Sequence, residues 1–123
     1  MKKTITLDGV DYELTPIKKQ ESLILKQQFN LEIHPDELGK MTWDEAVEAV
    51  KQLGDGWRLP TLLELHLIYN SELKDKFKID DYYWSSSEGS SSYAWLFYFG
   101  NGATLNLNKT NYSSVRAVRD LTI

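Results

Sequence analysis

At Tyr82 the spacing of apolar residues changes, and that change constrains the fold more than any other feature. Before it the period is helical. Thr42 and Glu45 have the spacing of a capping box, and Trp43, Ala46, Val47, Val50 and Leu53 then form one apolar stripe. Gly54 and Gly56 stop that helix. Thr61 and Glu64 repeat the box, with Pro60 fixing the approach and Leu62, Leu65, Ile68 and Tyr69 supplying a buried side. After Tyr82 the period is two. Trp95, Phe97 and Phe99 share one face of a strand, and Ala94, Leu96 and Tyr98 the other. "GNG" at 100–102 is a turn, Leu105 and Leu107 share a face, and a last strand carries Val115, Ala117 and Arg119 on one side. Helices followed by a run of strands predict an α+β domain with two or three helices and a C-terminal antiparallel sheet.

The first forty residues add a hairpin and a helix. "KTITLDGVDYELTPI" alternates on both sides of Asp8-Gly9, a strong tight-turn signal. "KKQESLILKQQFN" is read as helical, with Ile24, Leu25 and Phe29 near one side, and "LEIHPDELGK" as a connection. Strands at both ends with helices between them suggest that the terminal strands pair. A chain of 123 residues suits one domain, read as a hairpin and helix over 1–40, a helical scaffold over 41–81 and a sheet over 82–123.

Composition excludes several functions. There is no cysteine, hence no disulfide framework, thiolate metal site or cysteine nucleophile. A net charge of −4 argues against a broad phosphate-neutralising surface for nucleic acid. The basic start lacks an apolar run, and no stretch is long enough to span a membrane, so no signal peptide or membrane insertion is expected. A cytoplasmic or virion-associated setting is the expectation that follows.

The candidate chemistry is sparse. His34 and His66 lack metal-ligand spacing. Asp80 and Asp81 fit turn residues better than paired carboxylates or calcium ligands. Ser85, Ser86 and Ser87 have no glycine elbow and no identifiable base. Trp43, Trp57, Trp84 and Trp95 all lie in or beside regular elements, which favours core over sugar-stacking platforms. Arg116 and Arg119 fit bidentate anchors of the last strand, whereas Arg58 fits an anchor and a solvated arginine equally.

"MTWDEAVEAVKQLGDGWRLPTLLEL", "YYWSSSE" and "VRAVR" occur in a recognisable order. Over roughly residues 41–121 the chain resembles the bacterial and viral domains related to the C-terminal domain of the Legionella collagen-like adhesin. That resemblance implies a C-type-lectin-like fold. Within the group the chain looks most like the variable proteins of diversity-generating retroelements, in which adenine mutagenesis, chiefly of asparagine codons, diversifies a C-terminal binding surface. Substituting the first two bases of an asparagine codon never yields Met, Trp, Gln, Lys or Glu. From Gly89 through Ser114 only Trp95 and Lys109 belong to that set. Asn101, Asn106, Asn108 and Asn111 are what unmutated positions look like.

Carried over by position, the resemblance assigns a scaffold to Trp57, Arg58, Leu59, Pro60, Tyr83, Trp84, Ser85, Ser86, Ala94, Trp95, Phe99, Val115, Arg116, Val118 and Arg119. Variable, ligand-binding positions fall at Gly89, Ser90, Ser92, Tyr93, Leu96, Tyr98, Ala103, Leu105, Leu107, Tyr112 and Ser113. Leu96 and Tyr98 are expected to be exposed, with a sheet buried on both faces as the competing reading. The resemblance implies binding of a protein or glycan, without catalysis, metal or cofactor. The E-P-N, Q-P-D and W-N-D phrases of calcium-dependent lectins are absent, as are the cysteines of the formylglycine-generating enzymes that share R-L-P-T. An undiversified adhesin-like module for surface polysaccharide or protein is the alternative. A hydrolase using Ser85 to Ser87 with Asp80 or Glu88 is the weakest reading. Residues 1–40, poorly covered by the resemblance, are candidates for self-association or attachment to a larger particle.

Overall fold

The computed structural model describes Thr4–Leu7, Val10–Glu13 and residues 30–121, and the chain divides into two compact units, Met1–Asn30 and Leu31–Ile123. In the first unit, β1 (Thr4–Leu7) pairs antiparallel with β2 (Val10–Glu13), and Leu7 lies opposite Val10. That is the register expected of a two-residue connection. The helix expected over 18–30 falls almost wholly outside the described residues.

The second unit is α+β, as the change of period at Tyr82 predicts. Its strands are β3 (Leu31–Ile33), β4 (Gly39–Met41), β5 (Tyr82–Glu88), β6 (Tyr93–Tyr98), β7 (Thr104–Asn108), β8 (Ser113–Val115) and β9 (Val118–Asp120). Two helices, α1 (Trp43–Gln52) and α2 (Leu62–Tyr69), and a 3-10 turn at Glu72–Lys76 lie between β4 and β5. Five strands form one sheet in the order β4-β8-β5-β6-β7, antiparallel except for the β5–β8 pair.

Both helices begin where the capping boxes place them. The Thr42 N–H donates to Glu45 Oε1 at 3.0 Å, and the Glu45 N–H returns to Thr42 Oγ1 at 3.3 Å. Thr61 and Glu64 repeat the exchange at 2.8 and 3.1 Å. Each box satisfies two donors that a helix start otherwise leaves open.

Two expectations need correction. "LEIHPDELGK" is more than a connection, because it contributes β3 and the start of β4. The last strand is also two strands. β8 pairs with β4 and β5, the chain steps aside at Arg116–Ala117, and β9 pairs with β3, with Leu31 opposite Asp120. Three-residue strands carry too little periodicity to announce themselves. Their partners supply the pairing from a distance in sequence.

The sheet is covered on both faces. On one side α1 brings Ala46 and Val50 against Trp84, Ala94, Leu96 and Val115. On the other, Phe99 stacks on Phe77 at 4.5 Å, and Phe97 takes the His66 ring edge-on at 4.7 Å. The expected split of β6 into a core face and an exposed face is therefore overturned. Ala94, Leu96, Phe97 and Phe99 are all buried, and Trp95 is only half-buried.

Candidate ligand-binding surface

The framework residues are held by specific bonds. Arg58 grips both Glu64 oxygens at 2.7 Å and reaches Asp120 at 2.8 Å, which ties the start of α2 to β9. Burial pushes the Glu64 carboxyl up, but the Arg58 bonds and the Thr61 N–H outweigh it and hold the group below its ordinary range. Arg116 is buried and donates to the carbonyls of His34 and Pro35 at 2.8 and 3.1 Å. Arg119 pairs with Glu32 at 2.6 Å, and its guanidinium lies 4.3 Å over Trp57, whose ring takes the His34 edge at 4.6 Å. Pro60 is fully buried, and the Ser86 N–H donates to its carbonyl at 2.8 Å. The buried Trp84 donates its indole N–H to Met41 O at 2.9 Å.

The serines of "YYWSSSE" serve the same framework. β5 bulges between Trp84 and Glu88. There Ser85, fully buried, donates to Trp95 O at 2.8 Å, and Ser87 Oγ accepts the Leu62 N–H at 3.0 Å. A buried hydroxyl bonded to a carbonyl in this way fastens β5 to β6. No cluster of metal-ligating side chains occurs among the described residues.

On the sheet face that carries Leu96, a cavity of about 380 Å³ opens. Leu96 forms its floor, with Leu105 and Leu107 beside it on β7. Tyr82 and Tyr112 form the walls, and Tyr98 stacks on Tyr82 at 4.5 Å, outside the lining. Lys40, Asp80, Asp81, Ser113 and Ser114 complete the lining, and Ser114 Oγ donates to Asp81 Oδ2 at 3.0 Å. The cavity thus combines an apolar floor, aromatic walls and a polar rim of mixed charge. That combination suits recognition of an amphiphilic group.

The structure sorts the eleven ligand-binding positions expected from sequence. Leu96, Leu105, Leu107, Tyr112 and Ser113 meet in the cavity. Tyr98 adjoins it through Tyr82, and Ala103 is exposed opposite Tyr98 at the same end of the sheet. Gly89, Ser90, Ser92 and Tyr93 lie at the other end of the β5–β6 hairpin, where Ser90 Oγ accepts the N–H groups of Ser92 and Tyr93 at 3.2 Å. Leu96 is 1 % exposed, because Trp84 and Leu105 flank it across the sheet. It supports the site from beneath. Ser113 is buried as well, while Tyr112 is 68 % exposed and Leu105 43 %. Sequence reasoning missed Lys40, Tyr82 and Ser114, and Asp80 and Asp81, which fit turn residues in the sequence, line the cavity as well. The "YYW" alternation could have found Tyr82, because the residue two before a core tryptophan shares its face.

A larger cleft, about 710 Å³, lies between α1 and the Gly54–Leu59 segment, with Val47, Trp57, Arg58 and Asp120 in its walls. Among the described residues no helix is long and apolar enough to cross a membrane.

No curated protein matches the chain. A family model does, the Lcl C-terminal domain, over residues 18–119. The match covers the helices, the sheet and every residue of the cavity, and the chain belongs to that family.

Proposed function

We propose that the chain is an adhesin-like binding module of C-type-lectin-like architecture, with the cavity on the sheet face as its ligand site. Five of the eleven positions expected from sequence to bind ligand line this one cavity, and that convergence carries the reading. Tyr82 and Tyr112 are its anchors, since tyrosine offers a large contact area for little lost side-chain entropy. The ligand is a protein or glycan of a cell or host surface. The pairing of β3 with β9 supports the lectin-like reading, because it brings the two ends of the unit together.

The test is retention on immobilised whole cells and on an array of surface polysaccharides. Tyr112→Ala and Tyr82→Ala are expected to lower retention about tenfold or more at an unchanged melting temperature. Retention that survives both changes overturns the site.

Retroelement diversification is the finer reading. Exposed Tyr112, Leu105 and Ala103 fit variable positions, whereas buried Leu96 and Ser113 favour an undiversified module at those two positions. The neighbouring DNA decides: diversification requires a near-copy of the 3′ coding end, altered at adenines, beside a reverse-transcriptase gene.

A further inference from the structure

Among the described residues, nothing pairs with one edge of the five-stranded sheet. The β4 edge is three residues long and carries Lys40. The β7 edge is five residues, "TLNLN", without charge, proline or bulge. These are the features by which natural sheets block edge pairing. The nearby Lys109 gives no protection. Its ammonium is folded back 4.2 Å over Trp43 and 2.8 Å from Glu88.

The direction of the open bonds follows from the ladder. The Tyr98 N–H donates to Ala103 O at 2.8 Å, and the Lys109 N–H to Ser92 O at 2.9 Å. With Leu96 opposite Leu105 and Ala94 opposite Leu107, the odd positions of β7 turn their backbone groups toward β6. Thr104, Asn106 and Asn108 therefore turn theirs to the open edge; the Asn108 carbonyl already accepts the Asn111 N–H at 3.0 Å, which leaves Thr104 and Asn106 open.

We propose that β7 pairs antiparallel with β7 of a second copy of this chain, about a two-fold axis at Asn106. The sequence around that point is its own complement. Reversed on itself, Leu105-Asn106-Leu107 sets Leu105 opposite Leu107 of the second copy and Asn106 opposite Asn106. Asn106 is an outward-bonding position, so the central pair exchanges both backbone bonds. The leucines then join into one apolar stripe across the axis, and 43 % exposed Leu105 is covered. The isologous contact closes after two copies, as a two-fold interface must. It places two cavities on one continuous sheet. The inference rests on the edge geometry, independently of what fills the cavity.

The test is sedimentation velocity of the full chain from micromolar to millimolar concentration. A concentration-dependent dimer is expected. Asn106→Lys and Asn106→Asp each set like charges against each other across the axis. Each alone is expected to weaken association about tenfold, and an equimolar mixture of the two to restore it. Asn106→Pro removes an outward N–H that no described residue accepts, and it is expected to give a folded monomer. A chain that stays monomeric at millimolar concentration overturns the proposal. So does a dimer unaffected by the single charges, or one whose charge variants fail to recover on mixing while circular dichroism shows both folded.

Discussion

At the scale of single residues, neighbours in β6 and β7 differ sharply in what they do. Leu96 is sealed between Trp84 and Leu105, and Leu96→Ala is expected to cost about 2–5 kcal/mol in chemical denaturation. Leu105→Ala, on the exposed strand next to it, is expected to cost less than about 1 kcal/mol. Glu64 carries a pH dependence. Its folded-state pKa lies below its unfolded one, because the Arg58 and Thr61 bonds overcome the penalty of burial. The stabilisation is therefore complete above the ordinary carboxylate value, about 4.3, and is lost as pH falls through the folded value. Glu64→Gln never has it. The gap in melting temperature between that variant and the native chain is expected to be open at neutral pH and to close on acidification. A gap that persists in acid contradicts the Arg58–Glu64 account.

At the scale of elements, the capping boxes and the β5–β6 turn carry the local geometry. Thr61→Ala removes the acceptor for the Glu64 N–H and is expected to cost about 1 kcal/mol by thermal denaturation. Gly89→Ala directs a methyl group onto the Asn106 side chain, 2.3 Å from Oδ1, and is expected to shift the melting temperature downward. The helices were legible in sequence because a capping box is complete within one turn. The pairing of β3 with β9 was not, because Leu31 and Asp120 come together only through the fold between them. Along β6, Trp95, Phe97 and Phe99 dominate one face by size, which favours a one-sided reading over the competing two-sided one. Ala94 and Leu96 opposite them are also apolar, and apolar residues on both faces are the pattern of a strand covered from both sides. Half of the cavity was visible for a similar reason. Leu105, Leu107 and Tyr112 lie in one stretch, whereas Lys40 and Asp80–Asp81 arrive from elsewhere in the chain.

At the scale of the molecule, Leu31–Ile123 has its own core, two helices and the whole cavity. A fragment of those residues is expected to unfold in one cooperative transition by circular dichroism, as a unit with its own core should. The short β3–β9 ladder bears on how such a module behaves in a flowing or shearing medium. Leu31 and Asp120 are the outermost pair of that ladder, at the same end of it. A tension drawn through both ends is expected to open its three residue pairs one after another, as a zipper opens, with the Arg58 bonds to Val118 and Asp120 holding β9 to the rest of the unit. A module stretched in this way yields first at its fastening, while the cavity on the sheet keeps its shape.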